Sequence, residues 1–122
     1  MHIIFGTDVV NEIRADGRHT ILELDTIRPA PDRDPVTAYC VVSEIPLTEI
    51  SQTEAYVIWH HELLEAYRRK DWEESVRCLN LLSGKFNGDL DTFYNELRER
   101  IRVFLTSPPP DDWDGIYEPW KH

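Results

Sequence analysis

An α+β fold is predicted by three observations on these 122 residues: a short helix and β-hairpin, then a three-helix assembly made of a tetratricopeptide-like hairpin plus one helix, then a docked proline and tryptophan tail. β-Branched and aromatic residues cluster in two alternating stretches before Pro46. Apolar residues recur at helical spacing in three stretches after it. Consecutive prolines, Pro108, Pro109 and Pro110, stop the last of these, because proline disfavours helical backbone in the residue before it and cannot continue the ladder.

In chain order, "TDVVNEIR" places Val9, Val10 and Ile13 on one face, with Thr7 as N-cap and Gly17 as the stop of a short helix. "HTILELDTI" alternates Ile21, Glu23 and Asp25 against Leu22, Leu24 and Thr26, and "VTAYCVVSEI" reads as a second strand. The intervening "RPAPDRDP" carries Pro29, Pro31 and Pro35, which lack ladder donors, so it is a loop and the strands form a hairpin. Two strands alone are marginal, and they need helices over one face or a partner sheet.

Past Pro46, Thr48 or Ser51 caps a helix reaching Arg69, with Tyr56, Trp59, Leu63, Leu64 and Tyr67 on its apolar side and Glu62, Glu65, Arg68 and Arg69 on the wetter side. Asp71 caps the next helix with Glu74 three residues on, as in a capping box; Val76, Leu79 and Leu82 make its stripe and Gly84 ends it. The short Lys70 to Asp71 connection makes these helices antiparallel neighbours. "LDTFYNELRERIRVFL" is a third, with Leu90, Phe93, Tyr94, Leu97, Ile101, Phe104 and Leu105 apolar. The expected organisation is residues 1–46, 47–106 and a tail, 107–122.

A net charge of −10, from 23 acidic against 13 basic side chains, repels phosphate backbones and anionic lipid, which argues against nucleic acid or a membrane as partner. No apolar run reaches the roughly 18 residues of a spanning helix, and "MHIIFGTDVV" has no basic n-region, so the expectation is a cytoplasmic chain. Cys40 and Cys78 are expected as buried, reduced thiols.

Catalytic, cofactor-binding and metal residues are not expected. His61 and Glu65 stand i, i+4 beside His60, but no further ligands accompany them, and partly exposed histidines flanking a Trp59-centred core account for the pattern. Asp111, Asp112 and Asp114 lack the regular donor spacing of a calcium loop and read as solvated charge around a docked tryptophan. Serine and cysteine sit in no nucleophile setting, and the five glycines are scattered. The tail carries more information. Pro108 to Pro110 favour an extended geometry, so Trp113 and Tyr117 are expected to dock on the helices near Trp59 and Trp72, contributing about 2 to 3 kcal/mol each.

Two resemblances follow from these stretches. "EAYRRKDWEESVRCLNLL" resembles a tetratricopeptide-type hairpin, whose Gly-Asp-Tyr-Glu-Glu-Ala turn here reads Lys70 to Ser75; the period of about 34 residues does not recur. "ILELDTIRPAPDRDPVTAYCVV" resembles the closing β-hairpin of class III adenylate/guanylate cyclases, through Leu24, Asp25, Ile27, Arg28, Asp34, Pro35, Val36 and Tyr39, with "IIFGTDVVNEI" similar to the preceding helix there. "LTSPPPDDWDGIYE" is similar to the C-terminal extension of bacterial sensor-linked cyclases, so the likeness covers nearly the whole chain. That likeness implies no chemistry in these residues: the family's metal-binding aspartates and transition-state Asn and Arg belong to segments upstream of the region matched. The phosphate-contacting lysine positions of its loop fall on Ala30 and Asp32, a degenerate phosphate loop. The implied function is a non-catalytic interaction or regulatory module in cyclic-nucleotide signalling, with a protein partner, as a homodimer or with a cyclase-type partner, held through strand edges or helices. The alternative is the C-terminal fragment of an active cyclase whose catalytic residues lie upstream.

Overall fold

Strand β1 (His2–Phe5), helix α1 (Thr7–Ala15), strands β2 (Thr20–Ile27) and β3 (Val36–Val42), and helices α2 (Ile50–Arg68), α3 (Trp72–Leu82) and α4 (Asp91–Thr106) follow one another along the chain. The computed structural model describes residues 2–15, 20–42 and 50–121. These elements realise the α+β class, and they belong to two units, residues 1–46 with 115–122 and residues 47–114. Thr48 and Gly17, read as a cap and a stop, lie outside the described residues.

In the first unit the sheet is antiparallel with order β1-β3-β2. β2 and β3 form the expected hairpin, and β1 adds a third strand that the sequence reading did not anticipate, in the register Ile3 to Cys40 and Phe5 to Ala38. Four residues are too few for alternation to register, and in the sequence they run straight on into the helical pattern that follows. Gly6 makes the reversal into α1: its φ of 95° suits a residue without Cβ, and its N–H extends the ladder to the Thr37 carbonyl at 3.0 Å. α1 packs on β1 and β2 and buries Val10 fully.

β2 departs from strict alternation. Its register to β3 shifts between Glu23, opposite Tyr39, and Asp25, opposite Ala38, which leaves Leu24 as the extra residue of a β-bulge. The shift carries Asp25 onto the face of Leu22 and Leu24, where it is buried with them, whereas alternation would have set it apart from both.

In the second unit α2 and α3 form the expected antiparallel hairpin, closed by a Schellman motif. The Asp71 N–H reaches the Ala66 carbonyl at 2.9 Å and the Lys70 N–H the Tyr67 carbonyl at 3.1 Å, with Lys70 at φ 63°. Glycine usually takes this left-handed position, and glycine is what the tetratricopeptide-type turn carries there. Asp71 Oδ1 then accepts the Glu74 N–H at 3.1 Å. Only this half of the capping box forms: the Glu74 carboxylate turns to Arg77 instead, and the Asp71 N–H is already committed to Ala66. Gly84, at φ 78°, follows α3 as its stop, and its N–H donates to Asp91 Oδ1 at 2.9 Å at the start of α4.

The core of this unit gathers Leu63, Leu64 and Tyr67 of α2, Cys78, Leu79 and Leu82 of α3, and Phe93, Tyr94, Leu97, Ile101 and Phe104 of α4. His60 belongs to it as well. It is 0% exposed, one turn before Leu63 and Leu64, and its Nδ1 is 2.9 Å from the Tyr94 hydroxyl, so the expectation of partly exposed histidines holds for His61 alone. Leu105, read as part of the α4 stripe, faces outward at 62% exposure because its neighbour Phe104 takes the inward position.

Candidate functional site

The tail is the first place where sequence-selected residues meet. Ser107 caps α4, the prolines run on from it, and a turn from the Pro110 carbonyl to the Trp113 N–H at 3.0 Å swings the indole back onto the helices. Trp113 lies 5.3 Å from the Tyr67 ring, 5.5 Å from Phe104 and 6.2 Å from Trp72, and Trp72 stacks on Phe104 at 5.3 Å. Each helix thus contributes one ring to the seat of the tail indole. Lys70 adds a polar tie, its Nζ donating to the Pro110 and Asp111 carbonyls at 3.3 Å each, so the side chain standing in the glycine position of the turn holds the proline segment.

Other sequence-selected residues go elsewhere. Trp59 packs on Tyr56 at 5.7 Å, and that ring is also edge-on to Phe86; neither joins the Trp113 cluster. Tyr117 belongs to the first unit and pairs with β2 instead of resting on the helices. Its N–H reaches the Thr26 carbonyl and its carbonyl takes the Arg28 N–H, both at 2.9 Å, in a parallel bridge at Ile27. The outer edge of β2 offers unpaired backbone groups, and an extended tail satisfies them. Trp120 Nε1 donates to the Arg28 carbonyl at 3.2 Å and Glu118 pairs with the Arg28 guanidinium at 3.5 Å. Arg28, where the hairpin loop leaves β2, is therefore engaged by the tail and by the Arg33 carbonyl.

The opposite margin of the sheet is different. β1 pairs with β3 on one side, and among the described residues no strand takes its other side. Ile3 and Phe5, on the same face of that strand, are 43% and 62% exposed, and Val9 of α1 is exposed next to them in sequence.

Metal-ligating side chains come together on the α2–α3 hairpin. Glu62 of α2 and Glu74 and Cys78 of α3 bring their ligand atoms within 4.8 Å of one another. The one signal in the sequence was the i, i+4 spacing of Glu74 and Cys78; the hairpin supplies Glu62. Arg77 holds Glu74 through both guanidinium arms, Nε to Oε2 at 2.8 Å and Nη2 to Oε1, and this hydrogen bonding keeps the carboxyl below its usual range. Burial, and then the Glu74 charge, push the Cys78 thiol up to about 11. Among the described residues, His61 with Glu65, and Asp111 with Asp112 and Asp114, assemble no such group. Cys40 and Cys78 are both buried free thiols. No described helix is long and apolar enough to cross a membrane.

No protein-family model, curated protein or solved structure matches the chain. Its functional reading accordingly stands on this geometry and on the motifs quoted above.

Proposed function

We propose that this chain is a non-catalytic protein-interaction module of the cyclase-signalling type that pairs with a second copy of itself along the outer edge of β1. The observation that carries this reading is the contrast between the two sheet margins: the β2 edge is occupied by the chain's own Tyr117, while the β1 edge presents Ile3 and Phe5 and carries no Lys, Arg, Asp or Glu to discourage pairing. Two copies related by a twofold axis normal to the sheet pair antiparallel, and this symmetry sets residues of like parity opposite one another. With Ile4 at the axis, Ile3 of one protomer lies opposite Phe5 of its partner, and four exposed apolar side chains become one contiguous patch. The cyclase connection is an inference from the β-hairpin and "SPPPDDWDG" motifs, and a catalytic domain built as a dimer through sheet and helix contacts is what that likeness implies.

Equilibrium sedimentation of the purified chain tests the pairing. A dimer is expected, with Phe5→Lys shifting it to monomer while the circular dichroism spectrum stays unchanged; a wild-type chain that is monomeric at every concentration, or a Phe5→Lys dimer as tight as wild type, overturns it. Turnover of ATP or GTP to a cyclic product by the purified chain in the presence of manganese would overturn the non-catalytic half.

A further inference from the structure

We propose that Glu62, Glu74 and Cys78 form a binding site for a thiophilic divalent cation of the zinc class on the α2–α3 hairpin. The donor set selects the ion. One thiol and two carboxylates are ligands that zinc accepts in tetrahedral coordination, whereas calcium and magnesium require more oxygen donors and gain nothing from sulfur.

The spacing fits. Bond lengths of about 2.3 Å to sulfur and 2.0 to 2.2 Å to oxygen at a tetrahedral angle place the two ligand atoms about 3.5 Å apart. Cys78 Sγ and Glu74 Oε1 lie 3.7 Å apart. The third donor needs to close in from at most 4.8 Å, and Glu62 is an exposed side chain with the rotational freedom to do so. Its exposure also leaves solvent access for a water as fourth ligand.

The scaffold is built to hold these positions. Glu74 and Cys78 share a helix whose first turn is capped by Asp71, and the Schellman turn fixes α3 against α2. Arg77 acts as a positioning residue: an ionised carboxylate has about four acceptor sites, so Glu74 can keep its two bonds to Arg77 and still offer a lone pair to a cation. Binding converts the Cys78 S–H to a metal-bound thiolate and releases one proton to solvent, with no change of oxidation state.

Cobalt(II) titration of the full chain, kept reduced, provides the test, because a cobalt–thiolate bond gives a near-ultraviolet charge-transfer band that oxygen or histidine ligation does not. The expected result is one equivalent of cobalt with that band, displaced by zinc. Cys78→Ser should abolish the band and Cys40→Ser should leave it. Glu62→Gln, on an exposed side chain whose change leaves the fold intact, should weaken cobalt binding by about tenfold or more. A wild-type chain without the band, a band that survives Cys78→Ser, or a Glu62→Gln affinity equal to wild type overturns the proposal.

Discussion

Lys70 combines two roles that conflict at a single residue. Its φ of 63° is a conformation in which a Cβ costs about 1 kcal/mol relative to glycine, yet its amine ties down the Pro110 and Asp111 carbonyls. Separating the two is straightforward: Lys70→Ala keeps the cost and loses the tie, so it should be the least stable of the three forms, and Lys70→Gly should recover about 1 kcal/mol over alanine in urea unfolding. Equal midpoints for alanine and glycine would refute the assignment of strain. At Tyr94, Phe substitution leaves the buried His60 ring nitrogen without its hydroxyl partner and should cost about 1 to 3 kcal/mol, read from the same kind of unfolding curve.

Burial, and then the Glu74 charge, push the Cys78 thiol from an ordinary 9.0 up to about 11 in the metal-free protein, so the native state disfavours its thiolate. A folded pKa raised above the unfolded one contributes stability that is present below about 9 and is lost as pH rises through about 11. The excess stability of wild type over Cys78→Ser should therefore shrink across that alkaline window, and a difference that stays constant with pH would contradict it. Residue types gave partial access to these sites. The Asp71 cap could be read from its spacing, whereas His60, expected to be partly exposed, is buried on the stripe of Leu63, Leu64 and Tyr67. Lys70 could be matched to the glycine position of the tetratricopeptide-type turn, but that match gave neither its left-handed backbone nor the carbonyls that its amine reaches across 40 residues.

Among the elements, the three longer helices were legible because their apolar periodicity extends over several turns and their ends carry Asp71, Gly84 and Pro108. β1 was not, since it has only four residues and is specified by its partner β3. The bulge at Leu24 was also hidden: an extra residue in one strand shows only once the other is in register. The tail, chosen from sequence, docks through Trp113 as expected and through Tyr117 in a way no side-chain pattern encodes, because that bridge is made by backbone. Trp113→Ala should cost about 3 kcal/mol, somewhat below a fully buried tryptophan because the indole is half-buried, and should expose residues 107–114 to proteolysis. Unchanged stability and protection would mean that the aromatic cluster does not hold the tail. Tyr117→Pro removes the donor to Thr26 and should uncover the β2 edge, raising light scattering relative to wild type.

For the molecule as a whole, the charge of −10 bears directly on self-association. In the proposed dimer two such copies repel at long range while the β1 edges that would meet are apolar, so added salt should tighten association by screening the repulsion and leaving the apolar contact intact. Weakening by salt would point instead to ion pairs across the interface.

The first unit draws on both ends of the described chain, residues 1–46 and 115–122, with the whole helical unit inserted between them. During synthesis the helical hairpin and α4 emerge with their partners close by in sequence, so they can pack early, while the bond from Trp120 to Arg28 spans 92 positions and must wait. Until then β2 keeps a bare margin in a nascent chain. A chain arrested with residues 115–122 still inside the ribosome and the helical unit already out would thus display an unfinished sheet, and chaperone capture of such arrested chains should map to β2.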